Sequence, residues 1–514
     1  MRDWLDEGHL AWFVLDVVEA IDTSKFHALH PNDGPGRPAY DPDMMLALLF
    51  YAYMSGVRSS RRIESLCRTD AAFRVIAGDV VPDHSTIARF TVDHEKAIEG
   101  CFFEVLRLCA AAGLVSVGTI AIDGTKMAAD ASLKANRSSR AIEAELERLR
   151  AKAKLVIAEA RAADAAEDAQ GELFASDRLP VDLSSSGGRR ARLEAALEFI
   201  EDQRAAQRAE AAAEAAKAAQ AAAEGRQLAG RKPTDPHQAL ARARADLVAL
   251  NNRIDAEVAE RAAARARLET QARLEGRTPR GPKPDGRRPR EKRWVAQAEA
   301  AVAAAWAAAE SAGDTSKATA TANVTDLDSR IMKTAKGWVQ GYNSQASVNE
   351  NQVVLACLVS QDPNDVRLYQ PMVAATEQAL SNVGVTNAIG TVLADAGYWS
   401  EDNATAEGPD RLIATLKDWK QRKAAQEMGT TSGPPPADAT ALEAMEHRLR
   451  TPQGAHAYAQ RSHTVEPVFG DTKTNRGFHS FRRRGLPAAA SEWSLINTVH
   501  NLAKLFHAPQ PDVT

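Results

Sequence analysis

Cysteine is scarce in this sequence, with four in 514 residues, and none of them belongs to a CxxC pair. A zinc site or a disulfide framework is therefore not expected, and buried, reduced thiols of a cytosolic protein are the simpler interpretation. The N-terminus lacks the basic and apolar segments of a signal peptide. The longest apolar run, from Met44 to Met54, is too short to cross a bilayer. We therefore expect a cytoplasmic protein without membrane contact.

Neither charge sign dominates, since the formal net charge is −4. This value argues against a uniformly basic protein that coats DNA, but it leaves room for DNA binding through local clusters of arginine and lysine. Hydrophobic residues make up 44% of the chain, which is enough apolar material for a core. A chain of 514 residues is expected to fold as two or three domains, because single cores usually split at shorter lengths.

The first 115 residues predict a compact helical domain. Apolar residues recur at helical spacing from Leu10 to Val18, from Met44 to Val57 and from Ala97 to Leu108. Asp41 and Pro42 form a good N-cap and first-turn pair, and Asp83-His-Ser85 precedes another expected helix start at Thr86.

This domain also carries a basic cluster that predicts DNA binding. A helix-turn-helix is one interpretation, in which Arg89 faces DNA from a second helix at Ser85 to Phe90. The residues that would contact DNA are then Arg58, Arg61, Arg62 and Arg89. An ordinary helical bundle with a basic edge is the alternative.

A long segment, residues 136–320, consists mainly of Ala, Glu, Arg, Lys and Gln. These are good helix formers, so long helices with a thin apolar seam are expected, with an antiparallel hairpin as one arrangement. Breaks are predicted at Gly187–Gly188, at Gly230–Pro233 and at Gly276–Pro289. The basic cluster from Arg277 to Arg293 suits either contact with DNA phosphates or a solvated linker.

Two predicted strands end on an aspartate. They run from Val117 to Asp123 and from Gly390 to Asp395. Further strands are expected at 328–346, 353–359 and 411–415, a helix at 368–380, and a flexible loop at 420–440. The two strand-end carboxylates would lie at one edge of a sheet, where oxygen ligands can hold a pair of Mg²⁺ ions for phosphodiester chemistry. The alternative is that both aspartates only cap helices or turns.

A third acidic residue, Glu466, is predicted to share a helix face with Lys473. A glutamate beside a metal pair, with basic side chains nearby to bind phosphate, suits cleavage of a DNA strand. A salt-bridged surface helix is the alternative.

These motifs resemble those of the DDE transposases of bacterial insertion sequences, in particular the insertion-sequence 1182-like group. The signature Y-x₂-R…E-x₆-K of that family is matched by Tyr458, Arg461, Glu466 and Lys473. Further similar blocks are 123–126, 341–345, 394–398, 465–470, 484–486 and 500–502, and residues 37–90 resemble the helical domain that precedes the catalytic core. The resemblance covers most of the chain outside residues 136–320.

The resemblance implies an α/β catalytic core of the ribonuclease H-like type, a mixed sheet flanked by helices, with an all-α N-terminal domain and a long helical insertion. The implied parts are residues 1–115 for DNA binding, 116–135 for the first part of the core, 136–320 for the insertion, and 321–514 for the rest of the core and the C-terminal helices.

Asp123, Asp395 and Glu466 are the implied catalytic residues and metal ligands, with Mg²⁺ as the cofactor and Mn²⁺ as a substitute. Lys473, Arg461, Tyr458 and Lys126 are the implied DNA contacts near the cleaved bond. Asp130 is a competing carboxylate that lies beyond the end of the predicted strand.

The implied function is cleavage of transposon ends, followed by transfer of the 3′-hydroxyl to target DNA. The implied partners are terminal inverted repeats and target DNA, bound by a homodimer at the nucleoid, without a small-molecule substrate. Two alternatives stay open: an inactive or repurposed DNA-binding protein derived from a transposase, and a nuclease that cuts without joining.

Overall fold

The computed structural model describes residues 2–29, 39–168, 181–227, 233, 235–278, 286–312, 321–416, 423 and 427–508. Internal contacts divide the chain into two compact units, one formed by residues 1–135 with 325–514 and the other by residues 136–324. The N-terminal helices and the sheet belong to the first unit. The finer division of the chain into four parts stays a prediction.

In the described part of the first unit, seven α-helices precede the sheet. They are α1 (Leu10–Ala20), α2 (Ser24–His27), α3 (Pro42–Met54), α4 (Ser60–Thr69), α5 (Ala71–Ile76), α6 (His84–Asp93) and α7 (Glu95–Ala111). The side chain of Asp41 accepts from the backbone N–H of Asp43, and that of Asp83 accepts from Ser85 and Thr86. The predicted N-cap at Asp41 is therefore confirmed, and the helix expected from Thr86 is present but begins two residues earlier, at His84. Residues 37 and 38, which begin the stretch 37–90 that resembles the helical domain of the family, lie outside the described residues.

A mixed sheet of six strands forms the centre of the first unit. The strands are β1 (Thr119–Ala128), β4 (Arg330–Thr334), β5 (Gly337–Asn349), β6 (Val354–Ser360), β7 (Thr391–Ala394) and β8 (Asp410–Ile413), while β2 (Asn136–Ser138) and β3 (Thr321–Asn323) form a separate pair in the second unit. Strand β1 is central, because it pairs antiparallel with β5 and parallel with β7. Strand β8 continues the parallel side, while β4 and β6 both pair antiparallel with β5. The expected strands at 353–359, 390–395 and 411–415 are confirmed within one or two residues.

Strand β1 does not end at Asp123, as the sequence predicted, but continues to Ala128. The reason is its unequal pairing. The parallel partner β7 stops where Ala394 faces Ile122, whereas the antiparallel partner β5 pairs with β1 as far as Ala128. Asp123 is thus the first residue of β1 that β7 does not cover.

Helices cover the sheet and complete the core. Helix α12 (Tyr369–Asn382) packs on β5 and β6, and the C-terminal helix α18 (Leu486–Phe506) packs on β6, α3 and α7. The indole N–H of Trp493 donates to the backbone oxygen of Gln345, and the amide of Asn501 bonds both backbone groups of Val354. Helix α18 thereby ties the N-terminal helices to the sheet.

Three short elements precede the C-terminal helix, and they differ from the expected single helix around Glu466. After α13 (Glu401–Thr405), α14 (Ala441–Arg450) and α15 (Pro452–Ala459), the chain forms α16 (Arg461–Thr464), α17 (Glu466–Gly470) and a π-helical turn, Asp471–Asn475. A π turn has more residues per turn than an α-helix. The α-helical spacing that predicted a shared face for Glu466 and Lys473 therefore does not apply between them. The predicted loop at 420–440 lies partly outside the described residues.

The described residues of the second unit form the expected long helices, four of them, so they exceed a single hairpin. They are α8 (Ser139–Asp168), α9 (Val181–Ala223), α10 (Pro236–Leu274) and α11 (Pro289–Ala312), each packed on the next. The break expected at Gly187–Gly188 is wrong, since α9 passes through both glycines. The surrounding helix formers outweigh the cost of glycine, about 1 kcal/mol for each residue. The two other predicted breaks fall partly outside the described residues.

None of the helices in the described part of the chain is long and apolar enough to span a membrane.

Candidate active site

Asp123 and Asp395 lie next to each other at the place where the parallel pairing of β1 and β7 ends. The last pair in register between β1 and β7 is Ile122 with Ala394, and each aspartate is the next residue. Adjacent strands lie about 4.8 Å apart, so the two carboxylates begin side by side. Asp395 then starts a short 3₁₀ helix and its Oδ1 accepts from the backbone N–H of Gly397 at 2.8 Å.

Arg461 brings the glutamate to these aspartates. Its Nη2 donates to Asp123 Oδ2 at 2.6 Å, and its Nη1 lies 3.5 Å from Glu466 Oε1. The guanidinium is buried, whereas the side chain of Glu466 is 53% exposed. Arg461 was expected to contact DNA phosphate, but here its guanidinium lies between two of the predicted metal ligands.

The site holds excess negative charge in a partly buried place. Burial, together with the neighbouring charges of Asp395 and Asp365, raises the pKa of Asp123 to about 7, although Arg461 opposes the shift. Burial and the same three aspartates raise the pKa of Tyr398 well above its usual value, so its phenol stays protonated. A protein must compensate such a cluster of carboxylates with a cation.

Asp365 is a fourth acidic residue of this cluster, and it was missed in the sequence. Its Oδ1 accepts from Lys126 Nζ at 3.1 Å, from Asn343 Nδ2 at 2.7 Å and from Gln345 Nε2 at 3.0 Å. It follows β6 after a Pro-Asn turn. Asp123 and Asp395 were selected by looking for an acid at the end of a predicted apolar strand. The same search would have included Asp365 if it had extended past the end of β6 at Ser360 as far as position 365.

Lysines lie at the same place. Lys126 pairs with Asp365, and Lys473 Nζ donates to the backbone oxygen of Lys126 at 2.9 Å. Burial, Lys126 and Lys336 all lower the pKa of Lys473. A cationic edge, where lysines repel one another until an anion binds, therefore adjoins the carboxylates.

The other residues predicted to bind DNA divide into buried and exposed ones. The side chain of Arg58 is only 6% exposed, because its guanidinium pairs with Glu492, donates to the Ser480 backbone oxygen and covers the Phe478 ring. In contrast, Arg61 and Arg62 on α4 and Arg89 on α6 are exposed. Tyr458 is half-buried on α15, three residues before Arg461.

Asp130, the competing carboxylate, lies on the surface in an ion pair with Arg484. Among the described residues, the only trio of possible ligand atoms within 4.8 Å of one another is that of His27, Asp41 and Asp43. There Asp41 caps α3, and Asp43 Oδ1 lies 3.0 Å from His27 Nε2, so the trio has a structural explanation. The carboxylates around Arg461 are spaced more widely, because the guanidinium lies between Asp123 and Glu466.

The donor set fits a hard divalent cation. All candidate ligand atoms are carboxylate oxygens, which Mg²⁺ and Mn²⁺ prefer. The grouping of carboxylates supports the fit: Asp395 Oδ1 and Asp365 Oδ2 border one small space, and both aspartates are close enough to Asp123 to raise its pKa. A divalent cation placed among them would offset their mutual repulsion.

Two family models match separate parts of the chain. The model described as "Transposase domain (DUF772)" matches residues 1–93, which hold Arg58, Arg61, Arg62 and Arg89. The model described as "Transposase DDE domain" matches residues 422–506, which hold Tyr458, Arg461, Glu466 and Lys473. The searches of curated proteins and of solved structures found no match.

Proposed function

Since the chain belongs to the DDE transposases of insertion sequences, we propose that it cleaves the ends of its own element and joins the 3′-hydroxyls to target DNA. The observation that carries the proposal is the contact of Arg461 with both Asp123 and Glu466, beside Asp395 on the next strand. One buried guanidinium holds two acids from distant parts of the chain, and a third acid follows the neighbouring strand. Packing alone does not account for this grouping, because burying charge is costly.

Asp123, Asp395 and Glu466 would hold the divalent cations, Mg²⁺ or Mn²⁺, that this family normally uses. When bound, such ions activate the attacking oxygen and stabilise charge on the leaving oxygen. The protein itself supplies the rest. Lys126 and Lys473 bind the phosphate next to the cut, and Tyr398 holds Gln345 beneath β1 through its phenol, which donates to the Gln345 side-chain oxygen.

Arg461 neutralises Asp123 and Glu466 until the cations bind. In this proposal it is a positioning residue for the ligands, and a contact with phosphate follows only after the guanidinium moves. Tyr458, on the preceding helix α15, is likewise assigned a contact with DNA near the cleaved bond.

DNA binding away from the cut is assigned to the exposed arginines Arg61, Arg62 and Arg89 of α4 and α6. Arg58 has a different role, because its pair with Glu492 joins the N-terminal helices to α18. The element's terminal inverted repeats and the target are the DNA partners, a homodimer joins two ends, and the protein works at the nucleoid.

The finer classification is also a proposal. We assign the core to the ribonuclease H-like type on the mixed sheet, with the two aspartates at the place where the parallel pairing of β1 and β7 ends. The insertion-sequence 1182-like group is assigned on the sequence blocks that carry the resemblance.

The test is a cleavage and joining assay on a plasmid that carries the genomic segments flanking the gene on both sides. The wild type is expected to cut and join in MgCl₂ or MnCl₂ but not in EDTA. Asp123→Asn, Asp395→Asn and Glu466→Gln should each lose about a hundredfold or more of the rate while still binding DNA. Asp130→Asn is the matched control and should keep full activity, since Asp130 is a surface carboxylate paired with Arg484.

The possible outcomes separate the alternatives. Cutting without joining supports a nuclease. DNA binding without any metal-dependent activity supports a repurposed DNA-binding protein. Full activity of Asp395→Asn, or loss of activity in Asp130→Asn alone, overturns the assignment of the ligands.

A further inference from the structure

Asp365 connects the sequence blocks whose individual roles the proposed function leaves open. Lys126 belongs to the block at 123–126, Asn343 and Gln345 belong to 341–345, and Tyr398 ends the block at 394–398. All four side chains are joined through Asp365 or through its partner Gln345.

We propose that Asp365 is a positioning residue of the active site, which holds the ammonium group of Lys126 toward the phosphate of the DNA strand being cut. This inference rests on the proposed function, because it assigns Lys126 its anionic partner.

The two oxygens of the carboxylate have different surroundings. Oδ1 accepts from three donors: the Lys126 ammonium, the Asn343 amide and the Gln345 amide. Asn343 is fixed in turn by a second bond from its amide to the Asp362 backbone oxygen at 3.1 Å, and Gln345 by the phenol of Tyr398. Hydrogen bonds in such a network strengthen one another, so Asp365 is held in one orientation before DNA arrives.

The other oxygen, Oδ2, faces Asp395. A Cβ atom added at Gly397 would lie 3.0 Å from Asp395 Oδ1 and 3.2 Å from Asp365 Oδ2, so both oxygens border the same small space. On the opposite side, a Cβ atom at Gly124 would lie 2.9 Å from Asp365 Oδ1. The glycines that directly follow Asp123 and closely follow Asp395 therefore make room for Asp365.

Lysine needs such a partner more than arginine does. Its ammonium is a point charge on a flexible stem, without the planar geometry that pre-orients a guanidinium. The Lys126–Asp365 pair is mostly buried, with side chains 15% and 24% exposed, which limits screening by water. Asp365 thus fixes the lysine at the edge of the carboxylate cluster, while Lys473 is fixed by the Lys126 backbone oxygen.

The experiment is a double-mutant cycle between Asp365→Asn and Lys126→Ala. Asp365→Asn preserves size and one acceptor oxygen, so it tests the charge with little risk to folding. Two quantities are measured on the DNA segments that flank the gene: the single-turnover cleavage rate in MnCl₂, and the dissociation constant from fluorescence anisotropy in EDTA. Asp362→Asn is the matched control, because that carboxylate lies in the same loop and, among the described residues, accepts a hydrogen bond only from the backbone N–H of Asn364.

We expect each single variant to lower the cleavage rate about tenfold and to weaken metal-free DNA binding, and the double variant to be no worse than Lys126→Ala alone. Asp362→Asn should equal the wild type in both assays. Additive losses in the double variant, or wild-type behaviour of Asp365→Asn, overturn the inference. If Asp365→Asn melts well below the wild type, Asp365→Ser, which also removes the charge, replaces it in the cycle and is judged by the same criteria.

The proposed function is checked in the same experiment by wild type and Asp395→Asn. If the wild type does not cleave, the proposed function fails. If the wild type cleaves, Asp395→Asn does not, and the cycle shows no coupling, only the role of Asp365 fails.

Discussion

Arg461 Nη2 lies 2.6 Å from Asp123 Oδ2, although 338 positions separate the two residues in the chain. Both side chains are largely buried, with exposures of 7% and 17%. The pair therefore joins the C-terminal helical segments to the central strand at the place where β1 loses its parallel partner. Arg461 also supplies the positive charge that the carboxylate cluster needs when no cation is bound.

The first prediction concerns this pair. Arg461→Ala leaves the buried carboxylate of Asp123 without its partner, which should lower the free energy of unfolding by about 3–5 kcal/mol. MnCl₂ should restore more stability to this variant than it adds to the wild type, because the cation replaces the missing charge. Urea unfolding with and without MnCl₂ measures both effects.

Arg448→Ala is the control for that measurement. Arg448 also pairs with an aspartate, Asp410, but the two side chains are 35% and 53% exposed. Its loss should cost about 1 kcal/mol or less and should not respond to MnCl₂. Equal stabilisation of Arg461→Ala and wild type by MnCl₂ would show that the guanidinium does not stand in for a cation.

The second prediction separates two arginines that the sequence placed in one DNA-binding cluster. Arg58→Ala should lower the free energy of unfolding by about 3–5 kcal/mol, because it leaves Glu492 buried and unpaired. Arg61→Ala should change stability by no more than about 0.5 kcal/mol. Arg61→Ala should instead weaken DNA binding and reduce the slope of log Kd against log salt by about one unit.

Denaturation and anisotropy titrations at several salt concentrations provide these two readouts. An Arg58→Ala variant that is fully stable but binds DNA poorly would reverse the assignment and return Arg58 to the DNA-binding surface.

The third prediction is a pH dependence at the π turn. A hydrogen bond from His500 lowers the pKa of Asp471 to about 2, helped by the charge of Arg476, although burial opposes the shift. Because the folded pKa lies below the unfolded one, the stabilisation is present above about pH 4 and is lost as the pH falls toward about 2. Asp471→Asn should therefore cost about 2 kcal/mol between about pH 4 and pH 6.

The measurement is urea unfolding of wild type and variant at several pH values down to about pH 3, where the difference should begin to shrink. If the difference in free energy of unfolding between wild type and variant already disappears between about pH 6 and pH 5, a group other than Asp471 is responsible for the effect.

Local patterns in the sequence predicted much of this fold. The cap at Asp41, the helix start after Asp83 and the strand at 353–359 depend on a few adjacent residues, and all three are confirmed within two residues. The strand end before Asp395 follows from the same local reasoning, whereas β1 continues past Asp123 to Ala128. Their roles as metal ligands stay predictions until the variants are assayed.

Long-range contacts were beyond that reasoning. The burial of Arg58 depends on Glu492, and the position of Arg461 depends on Asp123, and neither partner can be recognised from spacing. Asp365 was missed because its importance arises only when Lys126 and Gln345 meet it in space. At Gly187–Gly188 a local rule failed instead, since the summed helix propensity of α9 exceeded the effect of two glycines.

The last prediction tests whether the glycine after Asp123 is required by the site. A Cβ atom at Gly124 would lie 2.0 Å from Gln345 Nε2 and 2.9 Å from Asp365 Oδ1. Gly124→Ala must therefore push the Gln345 amide away, which breaks its bonds to Asp365 and to the phenol of Tyr398. We expect DNA cleavage to fall at least about tenfold, since a displacement of about 1 Å near reacting groups is enough for a large loss.

Gly470→Ala is the matched control, because Gly470 lies at the end of α17, close in sequence to Glu466, and a Cβ atom there would meet nothing within 4 Å. Its backbone is helical, with φ of −60°, so alanine should keep activity and stabilise the fold by about 0.5–1 kcal/mol. Cleavage assays and thermal melts of the two variants decide the point. If Gly124→Ala cleaves DNA as fast as Gly470→Ala, the amide network beneath Asp123 does not position the carboxylates, and glycine at this position reflects only the close pairing of β1 with β5.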